Sequence, residues 1–145
     1  MMVTYRQATC QDLEDIYQIE LACFKQPWSL ESLRSDVCEN EFSYYIVAEA
    51  NDNMAGYCGI HMIYNEGHIM NVAVLPEYRK RGIGRGLLET VFLQTGLPFY
   101  TLEVRVSNDE AISLYSKLGF VTLGRRPRYY GNEDALIMWK GKNAP

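Results

Sequence analysis

Apolar and polar positions alternate with two different periods along this chain, and the switches between them predict its elements. Residues 3–7 read as a short strand. Leu13, Ile16, Tyr17 and Cys23 then recur at helical spacing behind Thr9 and Asp12, a pair suited to opening a helix. Ser29, after Gln26-Pro27-Trp28, marks a second helix start, leading into a short helix through Leu30 and Leu33. Residues 42–50 and 54–63 form two strand-like runs around Asn51-Asp52-Asn53, a hairpin signal. Residues 67–75 hold Ile69-Met70-Asn71-Val72-Ala73-Val74, which suits a buried central strand.

At Pro76 the pattern changes to a basic, glycine-rich loop ending at Gly86. Ile83, Leu87, Leu88, Val91 and Phe92 then lie on one helical face, and Gly96 and Pro98 stop that helix. Residues 100–106 predict a strand, and Ser107 or Asn108 caps a helix through Leu118 that Gly119 ends. Residues 120–124 and 135–140 supply the last strands, joined by an arginine- and tyrosine-rich excursion. This order predicts a mixed α/β fold, a sheet packed with helices. With 145 residues, no repeats and no linker, residues 1–145 are expected to form a single domain.

Charge changes the picture more than composition does. The net charge of −4 is small, but it is unevenly spread. Residues 1–70 carry three basic against eleven acidic side chains, and residues 71–145 carry eleven basic against seven acidic. Half of the fourteen basic residues sit in residues 79–85 and 125–128. An acidic chain with concentrated basic spots fits one compact polyanion better than a nucleic acid. No apolar run is long enough to span a membrane, and the N-terminus lacks the shape of a secretory signal. Cys10, Cys23, Cys38 and Cys58 show no CxxC spacing, so four reduced thiols in a cytoplasmic protein are expected. His61 and His68 have no metal-site spacing; they read as strand-surface residues, with no metal.

The glycine loop follows a strand and precedes a helix, which gathers free backbone N–H groups and a positive dipole end at one point. Gly82 and Gly84 would let phosphates approach the main chain, and Arg79, Lys80, Arg81 and Arg85 add charge. There is no Gly-Lys-Ser/Thr of a Walker loop, and Leu87 stands where a dinucleotide fingerprint needs its third glycine. A solvated basic turn is the plainer alternative.

The spacing Arg79-x-x-Gly82-x-Gly84 resembles the Q/R-x-x-G-x-G/A motif of the GCN5-related N-acetyltransferase (GNAT) superfamily, whose loop holds the pyrophosphate of acetyl-coenzyme A. Asn71-Val72-Ala73-Val74 before it, and Glu103, Asn108, Tyr115 and Leu118-Gly119-Phe120 after it, extend the resemblance over residues 69–124. Gln26-Pro27-Trp28-Ser29 and Arg125-Arg126-Pro127-Arg128-Tyr129-Tyr130 with Glu133-Asp134-Ala135 resemble the ribosomal-protein-alanine (RimI-type) branch. The resemblance implies a mostly antiparallel sheet of six to seven strands, splayed between the fourth and fifth, with about four helices. It also implies acetyl-coenzyme A as cosubstrate, held by Val72, Ala73 and Val74 through their main chains, by Arg79, Lys80, Arg81, Gly82, Ile83, Gly84 and Arg85, and by Asn108.

On the same resemblance, Glu103 is the general base, directly or through water, and Tyr115 the general acid to the leaving thiolate. Strand alternation alone puts Glu103 on a solvated face with Thr101 and Arg105, and Tyr115 on an ordinary helical stripe. The implied acceptor is the N-terminal amine of a small-subunit ribosomal protein that begins with alanine, attacked in a ternary complex. An α-amine titrates near ~7.7–8.0 and a lysine near ~10.4, so the former needs less help losing its proton. Trp28, Tyr129 and Tyr130 are candidate walls of the acceptor groove, or else packing residues. A lysine or small-amine acceptor and a non-enzymatic acyl-coenzyme A sensor remain the alternatives. No nucleic-acid or membrane partner is expected, and the chain is expected to be a monomer or weak oligomer.

Overall fold

The computed structural model describes residues 1–141. In chain order its elements are β1 (Val3–Gln7), a 3-10 turn (Cys10–Asp12), α1 (Leu13–Cys23), α2 (Leu30–Arg34), a π-turn (Ser35–Glu39), β2 (Ser43–Ala50) and β3 (Asn53–Ile63). They continue with β4 (Glu66–Val74), a 3-10 turn (Pro76–Tyr78), α3 (Ile83–Thr95), β5 (Phe99–Arg105), α4 (Asp109–Lys117), β6 (Val121–Arg126) and β7 (Ala135–Lys140). The strands form one sheet in the order β1-β2-β3-β4-β5-β7-β6. Pairs β1–β2, β2–β3, β5–β7 and β6–β7 are antiparallel, and β4–β5 is parallel. A parallel neighbour needs a crossover connection, and α3 supplies it. β4 and β5 pair only at Glu66–Phe99, Gly67–Tyr100 and His68–Thr101, and there their ladder ends. This is the mixed sheet with a splay after the fourth strand that the resemblance implied.

The chain divides into two compact units: Met1–Met62 with Met70–Gly96, and Ile63–Ile69 with the chain from residue 97 on. In the first, Ile16, Ile19, Leu33, Tyr45, Val47, Tyr57 and Ala73 make a buried cluster. Thr9 and Asp12 form the expected capping box: Gln11 N–H donates to Thr9 Oγ1 at 3.3 Å, and Thr9 N–H to Asp12 Oδ2 at 2.8 Å. Arg6 grips the same carboxylate through two hydrogen bonds of 2.8 Å. The hairpin turn puts Asn51 and Asp52 at φ 53° and 66°, the left-handed region these two residue types tolerate best after glycine. α3 packs so tightly on β1 that a Cβ at Gly86 would overlap the Tyr5 ring and hydroxyl.

Two features of this unit depart from the sequence reading. α2 continues into a π-turn, anchored by Asp36, which is 8% exposed. Its carboxylate accepts from Asn40 Nδ2 (3.0 Å), Ser43 Oγ (2.9 Å) and Tyr45 OH (2.5 Å), and meets His61 Nε2 at 2.8 Å. His61 is therefore the partner of a buried carboxylate rather than a plain surface residue, and His68 stands 3.0 Å from Glu66. Secondly, Cys10 and Cys38 form a disulfide, with Cα atoms 5.1 Å apart. This corrects the expectation of four reduced thiols. The π-turn carries Cys38 to the entrance of α1, a proximity that a separation of 28 residues does not reveal. Cys23 and Cys58 are free, and complete burial pushes the Cys58 thiol up to about 12.

In the second unit β7 lies between β5 and β6. Leu102 and Val104 are buried and Glu103 and Arg105 half-buried, as alternation requires. Thr101 breaks the pattern: it is buried, and its hydroxyl donates to the Met138 carbonyl at 2.9 Å. β6 starts one residue later than the apolar pattern predicts and runs on to Arg126, because Arg125 and Arg126 pair with Leu136 and Ala135. Of the two candidate caps of α4 it is Asn108 that serves, its Oδ1 accepting from Ala111 N–H at 3.2 Å. No helix of the described residues is long and apolar enough to cross a membrane.

Candidate active site

The anion loop is built from the end of β4 to the first turn of α3. Lys80 and Gly82 both take left-handed backbone conformations, with φ of 64° and 78°, and these turn the chain into the helix. Gly82 is the N-cap and has no side chain to satisfy the first N–H groups of α3. A Cβ placed there would meet nothing within 4 Å, so space is open beside the main chain. Lys80, Arg81 and Arg85 are exposed, and Arg85 pairs with Glu89 at 3.2 Å. Ile83 is buried and anchors the helix start, while Gly84 is half-buried. These features suit a phosphate-bearing ligand.

Arg79 does a different job from its neighbours. Its Nε donates to the Val74 carbonyl at 2.9 Å, and an outer nitrogen reaches Cys23 Sγ at 3.6 Å. Cys23 itself donates to the same carbonyl at 3.5 Å. Arg79 thereby ties the loop back to the end of β4. Ala73 is buried, with Val72 and Val74 half-buried beside it. β3 approaches so closely that a Cβ at Gly56 would strike the Ala73 carbonyl.

Trp28 lies in the same unit, after α1. It is half-buried and packs against the hydrophobic cluster, and its backbone N–H donates to Glu20 Oε2 at 2.9 Å. Glu20 is 1% exposed and was not singled out in the sequence, although it falls on the apolar stripe of α1 with Leu13, Ile16 and Tyr17. A charge inside an apolar stripe was the available signal. Its other oxygen accepts from Tyr57 OH and from Asn71 Nδ2. Burial, followed by this hydrogen bond to Glu20, drives the Tyr57 phenol far upward, so it remains protonated.

The second unit gathers Glu103, Arg105, Arg126, Tyr129, Tyr130 and Glu133. Glu103 Oε1 stands 3.7 Å from Arg126 Nε, and Arg126 lies over the Tyr129 ring at 5.9 Å. The Arg105 guanidinium covers the Tyr130 ring at 4.2 Å and donates to Glu133 Oε1 at 3.2 Å. Glu133 Oε2 accepts the Ser107 N–H at 2.8 Å; the Ser107 hydroxyl first, then this N–H and Arg105, outweigh desolvation and hold the carboxyl below the usual range. The rings of Tyr129 and Tyr130 meet edge to face at 5.0 Å. Tyr129 is 52% exposed, and burial raises the Tyr130 phenol. Tyr115 sits half-buried on α4, with its ring 5.7 Å from Phe120.

Glu103, Tyr115, Asn108, Tyr129 and Tyr130 thus belong to one unit, and Trp28, Val72, Ala73, Val74 and residues 79–85 to the other. Asn108 spends its Oδ1 on capping α4. Among the described residues no group of three His, Cys, Asp or Glu side chains could hold a metal ion.

Residues 13–120 match the acetyltransferase (GNAT) family. The chain is similar to the [ribosomal protein bS18]-alanine N-acetyltransferase of Escherichia coli (strain K12), with 35% identity over 144 residues, 94% of this chain and 96% of that one. A Bacillus subtilis (strain 168) protein provisionally given the same name is 37% identical over 139 residues, 92% of each chain. The crystal structure of the ribosomal-protein-S18-alanine N-acetyltransferase from Escherichia coli superposes with a TM-score of 0.89 at 33% identity, covering 98% of both chains.

Proposed function

The chain belongs to the acetyltransferase (GNAT) family, and we propose that it acetylates the N-terminal α-amine of a small-subunit ribosomal protein that begins with alanine. Its cosubstrate is acetyl-coenzyme A. The observation that carries the acceptor assignment is the likeness, over 94% of the chain, to a protein named for that reaction. In this reading residues 1–145 act as one catalytic domain, and the enzyme works in the cytoplasm, where ribosomal proteins are made.

The loop fits the cosubstrate: open space beside Gly82, uncapped N–H groups at the start of α3 and the exposed Lys80, Arg81 and Arg85 match a pyrophosphate. Arg79 contributes by holding the loop to Val74. Val72, Ala73 and Val74 offer main-chain groups to the thioester arm, and Asn108 its side-chain amide. Glu103 takes a proton from the acceptor ammonium, directly or through water. The amine then forms its bond to the acetyl carbonyl carbon as the carbon–sulfur bond breaks, Tyr115 gives its phenolic proton to the departing sulfur, and the second proton shed by the nitrogen as it becomes an amide returns through solvent to the phenol. Direct attack in a ternary complex needs no protein nucleophile. Trp28, Tyr129 and Tyr130 line the acceptor.

The test is a pair of peptides incubated with enzyme and acetyl-coenzyme A and read by mass spectrometry. One begins with a free alanine, and the other has a blocked N-terminus and an internal lysine. Acetylation of the first alone supports this reading; acetylation of the second alone assigns a lysine acceptor.

A further inference from the structure

The buried carboxylate of Glu20 is not used by the chemistry above. A carboxylate 1% exposed costs several kcal/mol of desolvation unless its oxygens are well provided with donors. Here the donors come from three separate places. Oε2 takes the backbone N–H of Trp28 at 2.9 Å. Oε1 takes the hydroxyl of Tyr57 on β3 and the amide of Asn71 on β4 at 3.3 Å. Asn71 also donates to the Tyr57 oxygen at 3.2 Å, which closes a triangle of polar groups in an apolar surround.

The destinations of the two oxygens matter more than their number. One holds the turn that follows α1, at the residue assigned to the acceptor wall. The other holds Asn71, next in sequence to Val72, Ala73 and Val74, which carry the main-chain groups assigned to the thioester arm. The rest of the α1–α2 segment is fastened independently, at Asp36 to β2 and β3, and at Cys38 by its disulfide. Near Trp28 the turn is tied to the sheet by Glu20 and, at the end of α1, by Cys23, whose Sγ donates to the Val74 carbonyl at 3.5 Å, together with apolar packing; of these Glu20 is the one that holds Trp28 itself.

We propose that Glu20 is a positioning residue for the acceptor: one carboxylate sets the Trp28 turn against β4, and so sets the incoming N-terminus against the acetyl group. The proposal rests on the functional reading above. Its physical basis is the steep dependence of acyl transfer on the approach of the two reactants, for which a displacement of about 1 Å costs on the order of 10²-fold. Glu20 touches neither reactant, so its effect reads out through peptide recognition.

The experiment measures steady-state kinetics for the alanine-starting peptide and for acetyl-coenzyme A in wild type, Glu20→Ala, Glu20→Gln and Tyr57→Phe. Glu20→Ala is expected to raise the peptide KM about tenfold and leave the acetyl-coenzyme A KM within twofold. Glu20→Gln, whose carbonyl oxygen still accepts the Trp28 N–H, is expected to recover most of that loss. If Glu20→Ala does not fold, Tyr57→Phe decides, with an expected rise of about threefold in the peptide KM alone. A purely structural Glu20 would lower the melting temperature with both KM values unchanged, and that overturns the proposal. Equal weakening of both substrates also overturns it. A wild-type enzyme inert on the peptide fails the functional reading itself, and the proposal with it.

Discussion

Arg126 holds its guanidinium 3.7 Å from the carboxylate of Glu103, and the same guanidinium lies 5.9 Å over the ring of Tyr129. The carboxylate assigned as the base is thus already placed beside a cation. Exposed pairs of this kind contribute about 0–1 kcal/mol to stability, so the arrangement concerns the site rather than the fold. Glu103→Gln is expected to lower kcat/KM by ~10²-fold or more while acetyl-coenzyme A binds as before. Calorimetry of cofactor binding beside peptide kinetics separates the two effects.

Tyr115→Phe keeps the ring that meets Phe120 at 5.7 Å and removes the hydroxyl proposed as the proton donor. Its kcat is expected to fall by ~10²-fold with little change in either KM. A loss confined to KM would remove Tyr115 from the chemistry.

Gly82 distinguishes strain from crowding. A Cβ there meets no atom within 4 Å, yet its φ of 78° costs a side chain about 1–2 kcal/mol. Gly82→Ala should therefore act through the loop's shape, raising the KM for acetyl-coenzyme A several-fold and sparing that for peptide. Rising salt should weaken acetyl-coenzyme A in the wild type as well, because Lys80 and Arg81 are exposed.

The Cys10–Cys38 disulfide closes a segment of 28 residues that contains α1, the Trp28 turn and α2. By loop-closure entropy such a crosslink is worth about 2–4 kcal/mol. A thermal melt with and without dithiothreitol should show a clear fall in midpoint on reduction, and a Cys10→Ser/Cys38→Ser variant should melt like the reduced protein and ignore the reagent.

Asp12 and Asp36 give the fold an acid-sensitive side. Hydrogen bonds from Arg6 hold the Asp12 carboxyl below its ordinary value. Burial would raise Asp36, but hydrogen bonds from Tyr45, Asn40 and Ser43 and the facing His61 outweigh it, and it too lies low. Depressed carboxylates add stability that is complete above the unfolded value near ~3.9 and is lost as pH falls through the lower folded value. Chemical denaturation below pH 4 should therefore show a steep loss, and Asp36→Asn should be less stable at neutral pH with a shallower acid slope.

The parts of this molecule written in local spacing were legible before the structure. Thr9 with Asp12, the Asn51–Asp52 turn, and the glycines that open and close α3 each act on residues a few positions away. Side-chain chemistry that depends on distant partners was not. Glu20 meets Tyr57 and Asn71, 37 and 51 positions on, and Cys10 meets Cys38 across 28. Thr101 alternates onto the polar face of β5 and is buried all the same, its hydroxyl donating to the Met138 carbonyl of the neighbouring strand β7. In the candidate site, the glycine loop was visible as a motif, but Arg79's role as a tie to Val74 needed coordinates.

The proposed acetylation of a ribosomal N-terminus leaves its mark in the cell of origin. Intact-mass spectrometry of the small-subunit ribosomal proteins, compared with and without this protein, should show one alanine-starting protein lose its acetyl group and regain it on complementation. Unchanged acetylation of every ribosomal N-terminus would rule out a ribosomal acceptor for this enzyme.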